Sequence, residues 1–428
     1  MTTATDRHPT VAVVGAGVSG LTAAYLLRRT QSVTLFEVES RLGGHAHTHQ
    51  VDDGAGGTVG VDSGFIVHND RTYPLLRKLF GELGVHTRKA EMCMSIRHEA
   101  TGLEYAGGKG VGGMLAQPRR MLSGQFLHLL VQIKRFHRAA ARFLARTDDS
   151  DVTSYGEFLR AEGFSDSFRE LYAVPVVSCV WSCAVGVALE YPARFLFRFL
   201  DHHGMLSVSG SPQWYTVPGG SASYVTAVAA RLGDIRRGRK VTQVRRVPGG
   251  VLLTDDTGTS SPFDKVVIAT HADQALSLLG DPTAAEHRTL GAFRYSNNHT
   301  VLHTDTRLLP AAGRAKASWN YLVPRDSRPG SDASPIVTYW MNRLQGLPGL
   351  RQYLVTLNAR DRIDDGKVIA EMEYRHPIYD LESGRARAAL PALTTDRTAF
   401  AGAYHGWGFH EDGCRSGVQA AQAFGVTW

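Results

Sequence analysis

The chain has 428 residues, of which 43% are hydrophobic and 20% are charged, a length that allows two domains and a composition that excludes a disordered or fibrous protein. No apolar run reaches the ~20 residues of a membrane-spanning helix, and the polar stretch from Met1 to Pro9 lacks the apolar core of a secretory signal. The formal net charge of +7 is too modest to indicate nucleic-acid binding, so we expect a cytoplasmic protein that at most associates with a membrane surface.

The chain opens with a strand, a glycine-rich turn, a helix and a second strand. Residues 10–14 are a short apolar run, residues 19–29 have helical apolar spacing, and residues 32–36 form another short strand that leads into Glu37. This order of elements within ~30 residues is the unit from which parallel sheets are built.

The turn contains Gly15, Gly17 and Gly20 in G-x-G-x-x-G spacing. The first glycine permits a tight turn, the second lets backbone approach a diphosphate, and the third lets the helix pack closely on the strand. The N-terminus of the helix offers free N–H groups to phosphates, and Glu37 stands where an acid binds ribose hydroxyls. Together these features predict a dinucleotide site.

The residues after Glu37 indicate which dinucleotide binds. From Glu37 to Gly44 the sequence reads E-V-E-S-R-L-G-G, so Arg41 and the pair Gly43–Gly44 follow the acid directly. This stretch resembles the FAD-binding opening of the flavin amine oxidase superfamily, which also contains phytoene desaturases and protoporphyrinogen oxidases. An NAD-binding domain that ends in an ordinary turn is the alternative.

Histidines and cysteines raise the question of a metal site. His45, His47 and His49 alternate after the glycine pair, but no carboxylate or cysteine set completes a site, so we expect no bound metal and favour a loop beside the cofactor. The cysteines match no zinc spacing and are expected to be reduced thiols; they are Cys93, Cys179, Cys183 and Cys414.

A long amphipathic helix is predicted within residues 119–146. Its apolar face consists of Phe126, Leu129, Leu130, Ile133, Phe136, Ala140, Phe143 and Leu144. Its other surface carries Lys134, Arg135, Arg138, Arg142 and Arg146. Two interpretations stay open: a core helix with a solvated basic face, or a helix that contacts a lipid surface or an anionic carrier through residues 126–146.

Two later blocks read as further sheet of the same nucleotide-binding domain, the first of them opening with a hairpin. Residues 241–246 and 251–254 are joined by a Pro-Gly-Gly turn, and a buried-strand pattern covers residues 265–270. Residues 398–402 form the last strand, before a small-residue helix at about 413–424.

We therefore predict an α/β fold with two domains. A doubly wound, Rossmann-like FAD domain is assembled from the discontinuous segments 1–75, 211–285 and 396–428. Residues 76–210 and 286–395 form a second domain of antiparallel sheet and helices, with the active site between the two domains.

The resemblance to the superfamily extends over most of the chain. It implies that the strand with Val241 and Val244 lies on the adenine and that the segment after Phe400 places the flavin ring. The implied FAD contacts are Gly15, Gly17, Val18, Ser19, Gly20, Glu37, Val38, Arg41, Gly43, Gly44, Val241, Val244, Thr270, Gly402, Ala403, Phe409, His410 and Glu411. Cys414 is a conceivable attachment point, but we favour non-covalent FAD.

A narrower resemblance points to the substrate. The stretches A-S-W-N-Y at 317–321, Y-W-M-N-R-L-Q at 339–345 and G-F-H-E-D-G at 408–413 resemble bacterial flavoproteins found beside cyclopropane fatty acid synthases, or fused to them in plants. This resemblance implies a substrate with an acyl chain.

Three residues are candidates for catalysis. Many amine oxidases of the superfamily keep a lysine on the strand that here reads F-R-Y-S-N-N-H-T at 293–300, and the nearest matches are Asn298 and His299. The missing lysine disfavours amine oxidation with oxygen and favours dehydrogenation or isomerisation. His410 suits contact with flavin or substrate, acid/base work, or a structural role. The carboxylates of Glu411 and Asp412 are equally plain helix caps.

Aromatic residues on two strand-like stretches are candidates for substrate binding, namely Trp319, Tyr321, Tyr339 and Trp340. Such residues suit a pocket that holds an apolar body and one polar group, although an ordinary strand core is the alternative.

These observations predict an FAD-dependent oxidoreductase that acts on a largely apolar small molecule, a lipid or acyl compound, by oxidation, desaturation or redox-neutral isomerisation. One alternative is an amine or amide oxidase in a biosynthetic pathway. Another is a non-catalytic flavoprotein recruited to a membrane or a partner. We expect no nucleic-acid partner, and the sequence gives no indication of the oligomeric state.

Overall fold

The computed structural model describes residues 8–108, 110–114, 116–118, 123–207, 210–326 and 334–428. The strands are β1 (Thr10–Val14), β2 (Ser32–Glu37), β3 (Thr48–Asp52), β4 (Thr58–Asp62), β5 (His68–Asn69), β6 (Arg88–Ala90), β7 (Met94–His98), β8 (Leu103–Gly107), β9 (Trp214–Thr216), β10 (Asp234–Arg237), β11 (Val241–Val247), β12 (Gly250–Asp255), β13 (Ser260–Phe263), β14 (Lys265–Ile268), β15 (Arg294–His303), β16 (Trp319–Val323), β17 (Ile336–Trp340), β18 (Leu354–Leu357), β19 (Val368–Ile378) and β20 (Thr398–Phe400). The α-helices are α1 (Val18–Leu27), α2 (Pro74–Leu83), α3 (Gly110–Met114), α4 (Gly124–Arg146), α5 (Tyr155–Ala161), α6 (Asp166–Phe168), α7 (Val174–Trp181), α8 (Val185–Glu190), α9 (Ala193–His202), α10 (Ala222–Ala229), α11 (Ala272–Leu278), α12 (Ala284–Gly291), α13 (Met341–Leu344), α14 (Leu381–Ala389) and α15 (His410–Ala423).

One half of the molecule is built on a parallel sheet with the strand order β10-β2-β1-β14-β20. Val11 and Val13 of β1 pack into one core cluster and Ala12 and Val14 into another, because successive residues of a strand point to opposite faces. The sheet draws its strands from three separate parts of the chain. The predicted α/β class, with a doubly wound domain made of discontinuous segments, is confirmed.

The other half is built on a mixed sheet with the order β19-β15-β18-β17-β16-β7-β8. Neighbouring strands are antiparallel except for β16 and β7, which run parallel. Helices α4 to α9 contribute a second, aromatic-rich core cluster that packs on this sheet through Ile96, Tyr321 and Val337. An antiparallel sheet with helices was the prediction for this half.

Helix α2 belongs structurally with the parallel sheet. Leu76, Leu79 and Phe80 lie in the same core cluster as Val11 and Val13 of β1. The predicted boundary at residue 75 would assign this helix to the second domain. The domain boundaries themselves stay predictions.

Helix α15 joins the C-terminus to the N-terminus. A Cβ at Gly413 would lie 2.6 Å from Val18 Cγ1, and a Cβ at Gly417 would overlap the carbonyl oxygen of Ser19, so both glycines allow α15 to lie directly on α1. The helix begins at His410, three residues before the predicted start.

Helix α4 buries its apolar face. Phe126, Leu129, Phe136 and Phe143 are buried in the aromatic-rich cluster, and Ser123 caps the helix by accepting a hydrogen bond from the backbone N–H of Phe126. Residues 119–122 of the predicted segment lie outside the described residues. No helix in the described part of the chain is long and apolar enough to cross a membrane.

Candidate active site

The three glycines of the first turn have distinct surroundings. Gly15 has a φ of +100°, and its backbone N–H donates to the carbonyl of Phe36 at 2.9 Å. A Cβ at Gly20 would overlap the carbonyl oxygen of Gly15, whereas a Cβ at Gly17 would have no described atom within 4 Å. No side chain caps α1, so the amides of Val18 and Ser19 begin a helix whose N-terminus faces this open space.

Glu37 and the second glycine pair are joined to the first turn. The carboxylate of Glu37 accepts hydrogen bonds from the backbone N–H groups of Ala16, at 2.7 Å, and Glu39, at 3.0 Å. The N–H of Gly43 donates to the carbonyl of Ala16 at 2.9 Å, and a Cβ at Gly44 would lie 3.2 Å from Gly17 Cα. The two glycine turns and the acid therefore form one unit.

Arg41 holds the second turn in place. One guanidinium nitrogen donates to the carbonyl of Gly44 at 2.7 Å, and the other lies 2.9 Å from the carboxylate of Glu39. Val38, the neighbour of Glu37, is 58% exposed at the surface.

Strand β11 lies beside the acid because the chain just before it pairs with β2. The N–H of Arg239 donates to the carbonyl of Glu37 at 2.9 Å. Val241 and Val244 are both buried in the core cluster that contains Phe36 and Val14. The structure thus brings the two predicted adenine contacts next to the end of β2.

The carboxyl ends of β1, β14 and β20 meet at Thr270 and Gly402. A Cβ at Gly15 would lie 3.4 Å from Thr270 Cγ2, and a Cβ at Gly402 would lie 3.3 Å from the carbonyl oxygen of Thr270. The N–H of Gly402 donates to Ser416 Oγ, and Ala403 begins the turn that leads to α15. Ligands of open α/β sheets bind at this edge.

His410 lies at the end of that turn, stacked on Phe65 with ring centroids 3.8 Å apart. Its Nε2 atom is buried and has no partner among the described residues. Burial, together with the nearby His68, lowers the pKa of His410 to about 3. The imidazole is therefore neutral at ordinary pH and acts through hydrogen bonds rather than through a charge.

Glu411 and Asp412 both cap helices. The carboxylate of Glu411 accepts hydrogen bonds from the N–H groups of Leu75, at 3.0 Å, and Leu76, at 2.9 Å, at the start of α2. Burial raises the pKa of Glu411 to about 7 although these bonds oppose the rise. Asp412 Oδ2 accepts from the N–H of Phe409 at 3.1 Å, which caps the N-terminus of α15.

The strand register of the mixed sheet shows on which face of the sheet each remaining candidate residue lies. One face of the mixed sheet packs toward the parallel-sheet half and the helices, and it carries Asn298, Trp319, Tyr321 and Tyr339. Trp319 pairs directly with Tyr339. The other two residues belong to this face because alternate residues of one strand, and residues paired across neighbouring strands, lie on the same face. We call this the cavity face.

Two candidates lie on the opposite face. His299 pairs with the carboxylate of Glu371 at 2.9 Å. Trp340 donates from Nε1 to Gln352 at 2.7 Å, and the guanidinium of Arg343 covers its ring. The structure does not bring His299 or Trp340 to the cavity face.

Aromatic side chains bound the space in front of the cavity face. Trp319 and Tyr339 meet edge to face with centroids 5.3 Å apart. On the other side Phe199 of α9 stacks on Phe409 at 4.9 Å, and Trp181 donates from Nε1 to the carbonyl of Trp407. Helices α7 and α9 thus pack against the turn before α15.

Three further histidines line the same space; of these, only His45 was predicted to lie on a loop beside the cofactor. The ring of His45 lies 5.4 Å from that of His376 and 6.2 Å from that of His271. Burial lowers the pKa of His271 and of His376 to about 4, yet both keep some accessible surface. The three rings therefore border space that the described residues leave accessible, which we call the cavity.

Position along the chain offered a signal for two of these histidines. His45 follows the second glycine pair, and His271 follows Thr270. His376 carries no such signal and reaches the cavity only because β19 pairs with β15.

The other two alternating histidines bond to neighbouring side chains. His47 Nδ1 lies 3.0 Å from the hydroxyl of Tyr374, and His49 Nε2 lies 2.9 Å from Ser63 Oγ. Within the described ranges no group of three or more His, Cys, Asp or Glu side chains is placed to hold a metal ion.

The residues present fit a phosphate-bearing cofactor. Gly17 borders open space at an uncapped helix N-terminus, and the buried Nε2 atoms of His45, His405 and His410 have no partner in the described part of the chain. Cys414 is fully buried, and burial raises the pKa of its thiol to about 12. Non-covalent attachment of the cofactor stays a prediction.

Comparisons with known proteins agree with this geometry. The family described as flavin containing amine oxidoreductase matches residues 18–335. A flavin-containing monoamine oxidase by name, AofH of Mycobacterium tuberculosis, is 28% identical over 290 residues, which are 65% of this chain and 61% of that protein. The chain thus matches less than two thirds of this relative's length.

Solved structures share the fold at low sequence identity. A CLA-producing fatty acid isomerase from P. acnes has a TM-score of 0.69 at 17% identity, covering 98% of this chain and 99% of that one. Cyclohexylamine oxidase from Brevibacterium oxydans has a TM-score of 0.68 at 17% identity, covering 97% and 98%. Because the family match spans residues 18–335, the protein belongs to the flavin-containing amine oxidoreductases and is an enzyme whose cofactor is FAD.

Proposed function

We propose that the enzyme removes hydride from a carbon atom of a largely apolar, acyl-type substrate, in an oxidation, a desaturation or a redox-neutral isomerisation. One observation carries this proposal. The described residues of the cavity face from Ser296 to Thr300 on β15, and on β16 to β18, include no carboxylate, lysine or arginine. The polar residues of this face on that stretch of β15 and opposite it on β19 are neutral, namely Ser296, Asn298, Thr300, Tyr374 and His376.

The free energies of burial favour an apolar substrate over a protonated amine in such a cavity. Each buried methylene group of a substrate contributes about 0.8 kcal/mol. Burying an ammonium group without a carboxylate partner costs several kcal/mol in practice. A neutral, aromatic-lined cavity therefore selects a chain-like apolar body and disfavours a charged amine.

The chemistry that FAD supplies when bound is the acceptance of hydride from a substrate carbon. This chain must place that carbon and exclude water. Trp319, Tyr339 and Phe409 provide apolar walls, and His376, which Asn298 contacts, provides a neutral hydrogen-bonding group at one side.

The shared fold does not indicate the substrate, because a fatty acid isomerase and a cyclohexylamine oxidase both have this fold. The narrower resemblance to flavoproteins associated with cyclopropane fatty acid synthases supports an acyl substrate. The name of the mycobacterial relative supports the alternative, an amine oxidase.

Product analysis tests the proposal. The FAD-loaded enzyme is incubated in air with linoleic acid, with its uncharged methyl ester and, separately, with dodecylamine, and products are measured by mass spectrometry together with hydrogen peroxide. A positional isomer of unchanged mass, or a product two hydrogens lighter, supports the proposal. Peroxide and an aldehyde from dodecylamine, with linoleic acid unchanged, would contradict it and establish the amine oxidase.

We also propose that α4 contacts an anionic lipid surface. Two large apolar side chains on its outer face are well exposed, Leu127 at 51% and Val131 at 66%. Lys134 and Arg138 continue the same stripe at helical spacing and are exposed. Apolar groups next to basic groups on one helix face suit an interfacial membrane contact.

Liposome sedimentation tests this contact. The wild type should co-sediment with vesicles that contain phosphatidylserine but not with phosphatidylcholine vesicles, and a K134E/R138E variant should lose the difference. Equal sedimentation of wild type and variant would contradict the proposal.

A further inference from the structure

A chain of hydrogen bonds leads from a backbone carbonyl to His376. The carbonyl oxygen of Pro335 can only accept, and it lies 3.1 Å from the side-chain nitrogen Nδ2 of Asn358. This contact fixes which end of the Asn358 amide carries the N–H groups. The same Nδ2 atom lies 2.9 Å from Asn298 Oδ1, so the oxygen end of Asn298 must face Asn358.

The orientation of Asn298 then decides the tautomer of His376. With its oxygen toward Asn358, Asn298 presents its Nδ2 donor to His376 Nδ1 at 3.0 Å and to Ser296 Oγ at 3.1 Å. A nitrogen that accepts a hydrogen bond carries no proton. In the neutral imidazole the proton must therefore be on Nε2.

The surroundings keep His376 neutral. His45 and His271 are the titratable groups that face it, and both of their pKa values are also lowered by burial. The arginines that act on these two histidines are paired with carboxylates: Arg375, near His271, with Asp273 at 2.7 Å, and Arg41, near His45, with Glu39. Among the described residues no hydrogen-bond acceptor for His376 Nε2 is found, and the side chain keeps some accessible surface.

We infer that Asn358 and Asn298 are positioning residues that hold His376 as a neutral donor with its proton on Nε2, and that this N–H binds the carbonyl or carboxylate oxygen of the substrate. The tautomer follows from the contacts of Pro335, Asn358 and Asn298 alone. The assignment of an acyl oxygen as the acceptor rests on the proposed function. The two parts are therefore tested separately.

Nuclear magnetic resonance of the FAD-loaded enzyme labelled with 15N-histidine tests the tautomer. A His376→Gln variant identifies the resonances of His376. In the wild type Nδ1 should be unprotonated and Nε2 protonated, and in Asn298→Asp the new carboxylate should draw a proton to Nδ1.

Asn297→Asp is the matched control. It introduces the same charge one residue away at an exposed position, and it should leave the His376 signals unchanged. A protonated Nδ1 in the wild type, or an unchanged His376 in Asn298→Asp, would overturn the inference.

Binding of small probes tests the acceptor. Octanoic acid, methyl octanoate and butylbenzene are titrated anaerobically, and binding is followed by the shift of the flavin absorption bands. His376→Phe should weaken binding of the two carbonyl compounds about tenfold, the size expected for one lost hydrogen bond. His376→Gln, which keeps an N–H donor, should restore most of the affinity.

Butylbenzene carries no oxygen and should bind the wild type and both variants alike. Equal weakening of all three probes would show a merely structural role and overturn the inference. Retained octanoate binding through His376 with no turnover of linoleic acid would refute the proposed function but leave this inference intact.

Discussion

In the parallel-sheet half of the molecule the candidate site consists of backbone, whereas in the mixed-sheet half it consists of side chains. Gly15, Gly17 and Gly20 contribute through the absence of a Cβ. A Cβ would strain the turn at Gly15, fill the open space at Gly17 and overlap a carbonyl oxygen at Gly20. Asn298 and His376 act through atoms that they present from two different strands. A backbone site is therefore sensitive to any added atom, and a side-chain site is sensitive to the loss of particular atoms.

The largest effect is expected from adding one methyl group to the backbone site. Gly20→Ala places a Cβ on the carbonyl oxygen of Gly15 and should lower the free energy of unfolding by about 3 kcal/mol or more, at the upper end of overpacking costs. Gly17→Ala meets no described atom within 4 Å and should leave the stability of the apoprotein unchanged.

The same Gly17→Ala variant should bind FAD at least about tenfold more weakly, because the methyl group occupies the space reserved for the diphosphate. Urea unfolding of the apoprotein and a fluorescence titration with FAD measure the two effects. A Gly17→Ala variant that binds FAD normally would contradict the different roles assigned to Gly17 and Gly20.

Lowering the pH should destabilise the region around the cavity more than the glycine turns, because the buried histidines lie near the cavity and the turn before α15. The pKa values of His271, His376 and His405 are each about 4 in the fold, against about 6.5 when unfolded. The unfolded chain therefore binds more protons between these values, and the free energy of unfolding should fall as pH falls from 6.5 toward 4.

Urea unfolding of the apoprotein at pH 6.5 and 4.5 measures this loss, which we expect to exceed about 2 kcal/mol. His376→Gln should reduce the loss, because a glutamine takes up no proton. A free energy of unfolding that is constant over this range would contradict the assignment of buried, neutral histidines.

Glu411 offers a test with the opposite sign. Its pKa of about 7 in the fold lies above the unfolded value, so its contribution to stability is fully present below the unfolded pKa and is lost as pH rises through 7. Glu411→Gln removes this dependence, and Glu411→Ala should lower the free energy of unfolding by about 1–2 kcal/mol through loss of the cap on α2.

Unfolding curves of the wild type and both variants at pH 5 and pH 8 measure these changes. If Glu411 instead contacts the cofactor, both variants should weaken FAD binding while stability stays the same.

The smallest effects should distinguish the two faces of the mixed sheet. Trp319→Phe alters the cavity wall and should change the KM of an acyl substrate by about threefold to tenfold. Trp340→Phe and His299→Gln alter the opposite face and should change KM by less than about twofold, since an exposed ion pair contributes at most about 1 kcal/mol to stability. Steady-state kinetics of the three variants provide the test, and an equal effect on both faces would contradict the face assignment.

The same contrast explains what the sequence could predict. Gly15, Gly17, Gly20 and Glu37 lie within one local motif, so spacing alone predicted the turn, the helix and the acid that the structure joins together. Asn298 and His299 are neighbours, and only the pairing of β15 with β18 and β19 decides which of them faces the cavity.

Some contacts had no local signal at all. His376 contacts Asn298 across 78 positions of chain, and Glu411 caps α2 through the N–H of Leu75, which lies 336 positions earlier. The contacts of His376 with Asn298 and of Glu411 with Leu75 depend on tertiary packing, which the periodicity of the sequence does not predict.

The preference of the cavity for an uncharged apolar substrate is measured most directly by anaerobic rapid mixing of the FAD-loaded enzyme with methyl linoleate and with linoleylamine, two probes that share one hydrocarbon chain. The ester is used because linoleic acid is ionised at neutral pH. We expect the ester to change the long-wavelength flavin band within the first turnover and the amine to do so far more slowly or not at all. Bleaching by the amine alone would contradict this preference.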